Sequence, residues 1–71
     1  MNLNELRIEM LRHGDTGKEL SEALGISRQT LSRKFHSRKT DFTQKDMAII
    51  QKRYGLSGER MTEIFFAENV S

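Results

Sequence analysis

The 71-residue chain contains no cysteine, no proline and no tryptophan, and these absences narrow what it can be. Without cysteine, neither a disulfide nor a cysteine-ligated zinc can staple so small a fold, and a reducing cytoplasm is the expected setting. With no proline, no low-complexity run and no internal repeat, the chain reads as five helices in one unit. No apolar run approaches the ~20 residues that a membrane span requires, and the opening MNLNELR lacks the apolar centre of a secretion signal. A soluble protein without a membrane partner is expected. Nucleophile motifs and glycine-rich phosphate loops are also missing, and neither His13 nor His36 has a partner at metal-ligand or catalytic spacing. Hence no enzymatic activity, cofactor or metal is expected.

What is present suits one small all-α domain. Seventy-one residues with 35% apolar content make a single core and little more, so function must lie on the surface. The net charge is only +2, yet it is unevenly spread. From Arg28 to Lys45 there are six basic residues against Asp41 alone, a local charge of +5, and the remainder of the chain carries −3. Such a patch is the electrostatic footprint of a polyanion partner.

Start and stop signals divide the chain. Asn2 with Glu5 opens a first helix that carries Leu3, Leu6, Met10 and Leu11 and stops near Gly14. Thr16 with Glu19 forms a capping box for a second helix beginning at Gly17, which buries Leu20, Ala23 and Leu24 and ends at Gly25. Ile26 fills the corner, and Ser27 caps a third helix whose Leu31 and Phe35 point inward. Phe42 precedes the cap Thr43 as half of a hydrophobic staple with Met47, and the fourth helix passes Ile50 to end at Gly55. Leu56 leads to the cap Ser57 and a fifth helix presenting Met61, Ile64 and Phe65. Met10, Met47 and Met61 fall on apolar stripes as core filling. A core of Leu3, Leu6, Leu11, Leu20, Ala23, Leu24, Ile26, Leu31, Phe35, Met47, Ile50, Leu56, Met61 and Ile64 leaves Phe65, Phe66 and Val70 in excess, an apolar end suited to a partner or a dimer contact. Residues 66–71 are expected to form a tail.

The segment from 17 to 36 is then two short amphipathic helices joined by a glycine turn, a helix-turn-helix. Its second helix shows Arg28, Gln29, Ser32 and Arg33 outward, with His36 at its end. A glutamine amide bonds bidentately to adenine N6 and N7, and an arginine to guanine O6 and N7. Ser27, Lys34, Arg38 and Lys39 adjoin these residues and are candidate phosphate contacts.

The stretch LSEALGISRQTLSRKF, followed by a basic loop and DFTQKDMAIIQKRYGLS, resembles the Cro and lambdoid-repressor class of helix-turn-helix proteins. It is most similar to the short Cro-like regulators, including small modulators of repression, encoded by phages of Gram-positive bacteria. The likeness covers Thr16 to Phe66 and is strongest at Gly25-Ile26-Ser27. It implies a compact five-helix lambda-repressor/Cro-like domain over residues 1–71, base contacts from Arg28, Gln29, Ser32 and Arg33, and phosphate contacts from Lys18, Arg38 and Lys39. Two positions depart from the class. Gly17 stands where a phosphate-gripping glutamine is usual, and Ser21 where a small alanine is usual.

Three readings stay open. One is a Cro-like regulator that binds operator DNA in a lysis/lysogeny switch, as a homodimer whose recognition helices reach successive major grooves about 34 Å apart. Another is an antirepressor, a modulator that docks on the DNA-binding domain of the cognate phage repressor. The third is a structural helical domain of a larger assembly. Gly17 and the acidic remainder favour the second; the Arg28, Gln29, Arg33 face favours the first.

Overall fold

The computed structural model describes residues 3–36 and 42–66, which form five helices and, among those residues, no strand. They are α1 (Leu3–Arg12), α2 (Gly17–Leu24), α3 (Arg28–His36), α4 (Gln44–Tyr54) and α5 (Gly58–Met61), the last running directly into one turn of π-helix, Thr62–Phe66. Asn2 lies outside the described residues, as does the tail beyond Phe66. Among the described residues no helix is long and apolar enough to cross a membrane.

Local chemistry sets the boundaries. At α2 the Thr16 hydroxyl accepts the Glu19 N–H at 3.1 Å, while the return contact runs from that hydroxyl to the Glu19 carboxylate, in place of the backbone contact of a full box. The full box forms instead at α4, where Thr43 Oγ1 accepts the Asp46 N–H and Asp46 accepts the Thr43 N–H. Gly25 ends α2 at φ +72°, a conformation that costs glycine nothing. Its N–H reaches Glu22 O and the Ile26 N–H reaches Ser21 O, so the orphan carbonyls of α2 are satisfied before the chain enters α3.

The core collects one stripe from each helix. Leu6, Leu20, Ile50 and Ile64 are fully buried, and Leu24, Leu31, Phe42, Tyr54, Met61 and Phe65 close around them. Met61, Ile64 and Phe65 turn inward together, and the π turn rests against α1. Phe35, Phe42 and Phe65 form an edge-to-face row with ring centroids 5.9 and 5.6 Å apart. Such pairs add about 0.5–1.5 kcal/mol beyond the area they bury.

Two expectations fail here. Leu11 is 80% exposed, because it lies about 140° around the helix from Leu6, off the stripe of Leu3, Leu6 and Met10. Phe65 is only 3% exposed, so it belongs to the core and offers no partner surface; Phe66 beside it is 63% exposed.

Ion pairs between elements complete the scaffold. Arg60 of α5 reaches Glu9 at 2.7 Å, Glu5 at 3.1 Å and Glu63 at 3.1 Å, which ties α1 to the last turn and lets Glu9 sit buried. Arg53 of α4 grips Asp15 with two hydrogen bonds of 2.8 Å, and the Tyr54 hydroxyl donates to the same carboxylate. Asp15 precedes the α2 cap, so this clasp fixes where α2 starts relative to α4.

Candidate macromolecular interface on the third helix

The Ser27 hydroxyl accepts the Thr30 N–H at 3.1 Å and donates to Thr30 Oγ1, so α3 starts where its sequence places it. Leu31 is buried and Phe35 packs against the core, which fixes the rotation of the helix. Arg28, Gln29, Ser32, Arg33 and His36 then lie exposed on one arc of about 140°, with Gln29, Ser32, Arg33 and His36 turned away from Leu31 and Arg28 at the edge of the arc, about 60° from Leu31 around the helix. Among the described residues none of these five side chains makes a hydrogen bond or an ion pair. They are held on a rigid element with their polar groups available to a ligand.

The candidate phosphate contacts fare less evenly. Lys18 is exposed near the start of α2. Ser27 is exposed, but its hydroxyl serves as the α3 cap. Arg38 and Lys39 lie outside the described residues. Lys34 is corrected: its ammonium turns to Asp46 at 3.3 Å and lies 5.7 Å from the centre of the Phe42 ring, with 14% of the side chain exposed. At that position the amphipathic period leaves α3 on the flank facing α4, where Asp46 supplies a carboxylate. Burial opposes the charge on Asp46, but the Thr43 N–H and then Lys34 outweigh it, so its carboxyl is held below the ordinary range. Lys34 therefore stitches α3 to α4.

Between α1 and α3 runs a groove of about 220 Å³. Met10, Leu31 and Phe35 supply apolar walls, while Arg7, Arg28 and His36 bring nitrogen donors; among the described residues no carboxylate lines it. The Arg7 guanidinium carbon lies 5.0 Å from the Phe35 ring centre, a cation–π contact that holds the arginine beside the groove. Gly17 and Ser32 complete the lining. A Cβ added at Gly17 would meet nothing within 4 Å, so the missing side chain leaves open space there. Arg7 escaped the sequence reading because its relation to Phe35 is tertiary, and no spacing along the chain reports it.

On the opposite flank, His13 stacks on Tyr54 with centroids 5.0 Å apart and its Nδ1 lies 2.8 Å from the Glu9 carbonyl oxygen. The Arg53 hydrogen bond first, then that of Tyr54, keeps the Asp15 carboxyl below its ordinary range against the cost of burial; burial and Asp15 together push the Tyr54 phenol well up. Every group in this cluster has a partner, which marks it as scaffold. Among the described residues no three His, Asp or Glu side chains gather as a metal site. No family model matches the chain, and neither a curated protein nor a solved structure matches it.

Proposed function

We propose that this chain is a helix-turn-helix regulator of transcription that acts in the cytoplasm of a bacterial host, as part of a phage genetic switch, and binds operator DNA through α3. One observation carries the reading: Arg28, Gln29, Ser32, Arg33 and His36 share an exposed arc of a capped helix whose position is fixed by the glycine turn before it. These are side chains able to read base edges in a major groove, and Lys18 flanks them as a backbone contact. Exposed Phe66, without Phe65, is the remaining described candidate for a homodimer contact. The test is selection of bound sequences from a random duplex library, followed by titration at two salt concentrations. Specific binding should enrich one sequence, with affinity falling by about 0.9 logarithmic units per tenfold rise in salt for each phosphate neutralised. Failure to enrich any sequence refutes operator recognition.

A second reading has its own support. Lys34 is withdrawn from the phosphate set by Asp46, Gly17 offers no side chain to a phosphate, and the groove beside α3 has apolar walls that a polyanion does not need. All three suit an antirepressor whose α3 face docks on the cognate repressor and alters its operator binding. Titrating that repressor with the wild type and with Arg28→Glu or Arg33→Glu tests it: one-to-one binding lost in both variants, at an unchanged melting temperature, is the expected result.

A further inference from the structure

We infer that the groove between α1 and α3 seats one aromatic side chain presented by an acidic stretch of a protein partner. The inference rests on the antirepressor reading and names the chemistry that its contact surface selects. Volume is the first argument. At about 220 Å³ the groove is smaller than the ~300–1,000 Å³ of pockets that enclose drug-sized ligands, yet large enough for a single bulky side chain. Its walls are the second. Met10, Leu31 and Phe35 give an inserted ring dispersion contacts and an edge-to-face neighbour, whereas a DNA phosphate placed there would lose water against apolar surface.

Charge decides what surrounds that ring. Exposed Arg7 and Arg28 border the groove from α1 and α3, and among the described residues no carboxylate lines it, so acidic residues flanking the inserted side chain meet cations on two sides. Gly17 keeps the space open. Its φ lies outside the left-handed region, so a larger residue there fits the backbone without strain and fills the groove without changing any charge.

The test is nuclear magnetic resonance of the isotope-labelled full chain, titrated with a blocked peptide of one phenylalanine between two pairs of glutamates. Saturable shifts at the amides of Gly17, Ser32 and His36 are expected. Replacing the phenylalanine by alanine, or the glutamates by lysines, should weaken binding at least tenfold, as hot-spot side chains and complementary charge do. Gly17→Met should abolish the saturable shifts while the helical circular dichroism stays that of the wild type. Equal binding of the alanine peptide, shifts confined to another face, undiminished binding by Gly17→Met, or shifts at the groove from a DNA duplex but not from the peptide would each overturn the inference. A parallel titration with the intact repressor separates the two ideas. Equal repressor binding by wild type and Gly17→Met removes the groove and leaves the antirepressor reading standing; peptide seated in the groove without any repressor binding does the reverse.

Discussion

Replacing Asp15 by Asn should cost the domain about 2 kcal/mol at neutral pH, and the loss should fade in acid. The Asp15 side chain is 4% exposed and takes both Arg53 hydrogen bonds as well as the Tyr54 hydroxyl. Hydrogen bonds to a charged group contribute about 1.5–3 kcal/mol each when lost from a buried site. The Arg53 side chain is 34% exposed, so water recovers part of its solvation and the full sum is not lost. Asparagine keeps an oxygen for Tyr54 but turns an N–H₂ toward one guanidinium donor. At 4–8 °C per kcal/mol for a domain of this size, the melting temperature should fall by about 8–16 °C. The pH dependence follows from the lowered native pKa of Asp15, caused first by its hydrogen bond to Arg53. A depressed carboxylate contributes stability that is fully present above its unfolded value of about 3.9 and disappears as pH falls through the lower native value. Melting curves of both proteins from pH 7 downward should therefore diverge at neutrality and converge below about pH 4. An unchanged melting temperature at pH 7, or a gap that persists undiminished in strong acid, would refute the clasp as the anchor of α2.

Substitutions at four further positions probe the face and its frame. Arg33→Ala should erase discrimination between specific and random duplexes, about 1–3 kcal/mol, while Lys18→Ala lowers affinity for both alike; filter binding with the two duplexes reads the difference. Gly25→Ala should lower stability by about 1–2 kcal/mol, and Gly25→Val by more, measured by urea unfolding, because the φ of +72° disfavours any side chain although a Cβ there meets nothing within 4 Å. Thr43→Ala should cost about 1 kcal/mol in the same assay through loss of the α4 cap.

Much of the frame was legible along the chain because its signals are local. Glycine after an amphipathic stretch and a hydroxyl before one act within a few residues, so Thr16, Gly25, Ser27, Thr43, Gly55 and Ser57 marked boundaries that the structure keeps. The outward arc of α3 was legible for the same reason, since Leu31 and Phe35 orient it by period alone. Lys34 was not. Its direction depends on a carboxylate twelve residues away in sequence, and a basic residue beside a basic face reads as part of that face until the partner is located. Phe65 was not legible for a related reason, since whether it turns inward depends on how the π turn meets α1, whereas the outward position of Leu11 follows from the helical period of α1 itself.

The same pairings explain how a chain with a net charge of only +2 can present a basic working face. Glu5, Glu9, Asp15, Asp46 and Glu63 each contact a cation of the scaffold, drawn from Arg12, Lys34, Arg53 and Arg60. Close opposite charges cancel within a few ångströms, so their combined field beyond a Debye length of ~8–10 Å is small. Among the described residues, exposed Arg7, Lys18, Arg28 and Arg33 remain to set the potential around α3 and its groove, with Glu19 and Glu22 of α2 as the nearby exposed acids in sequence. Scaffold charges thus govern stability and arc charges govern recognition. The two sets share no residue, so substitutions on the arc should alter binding without melting the domain.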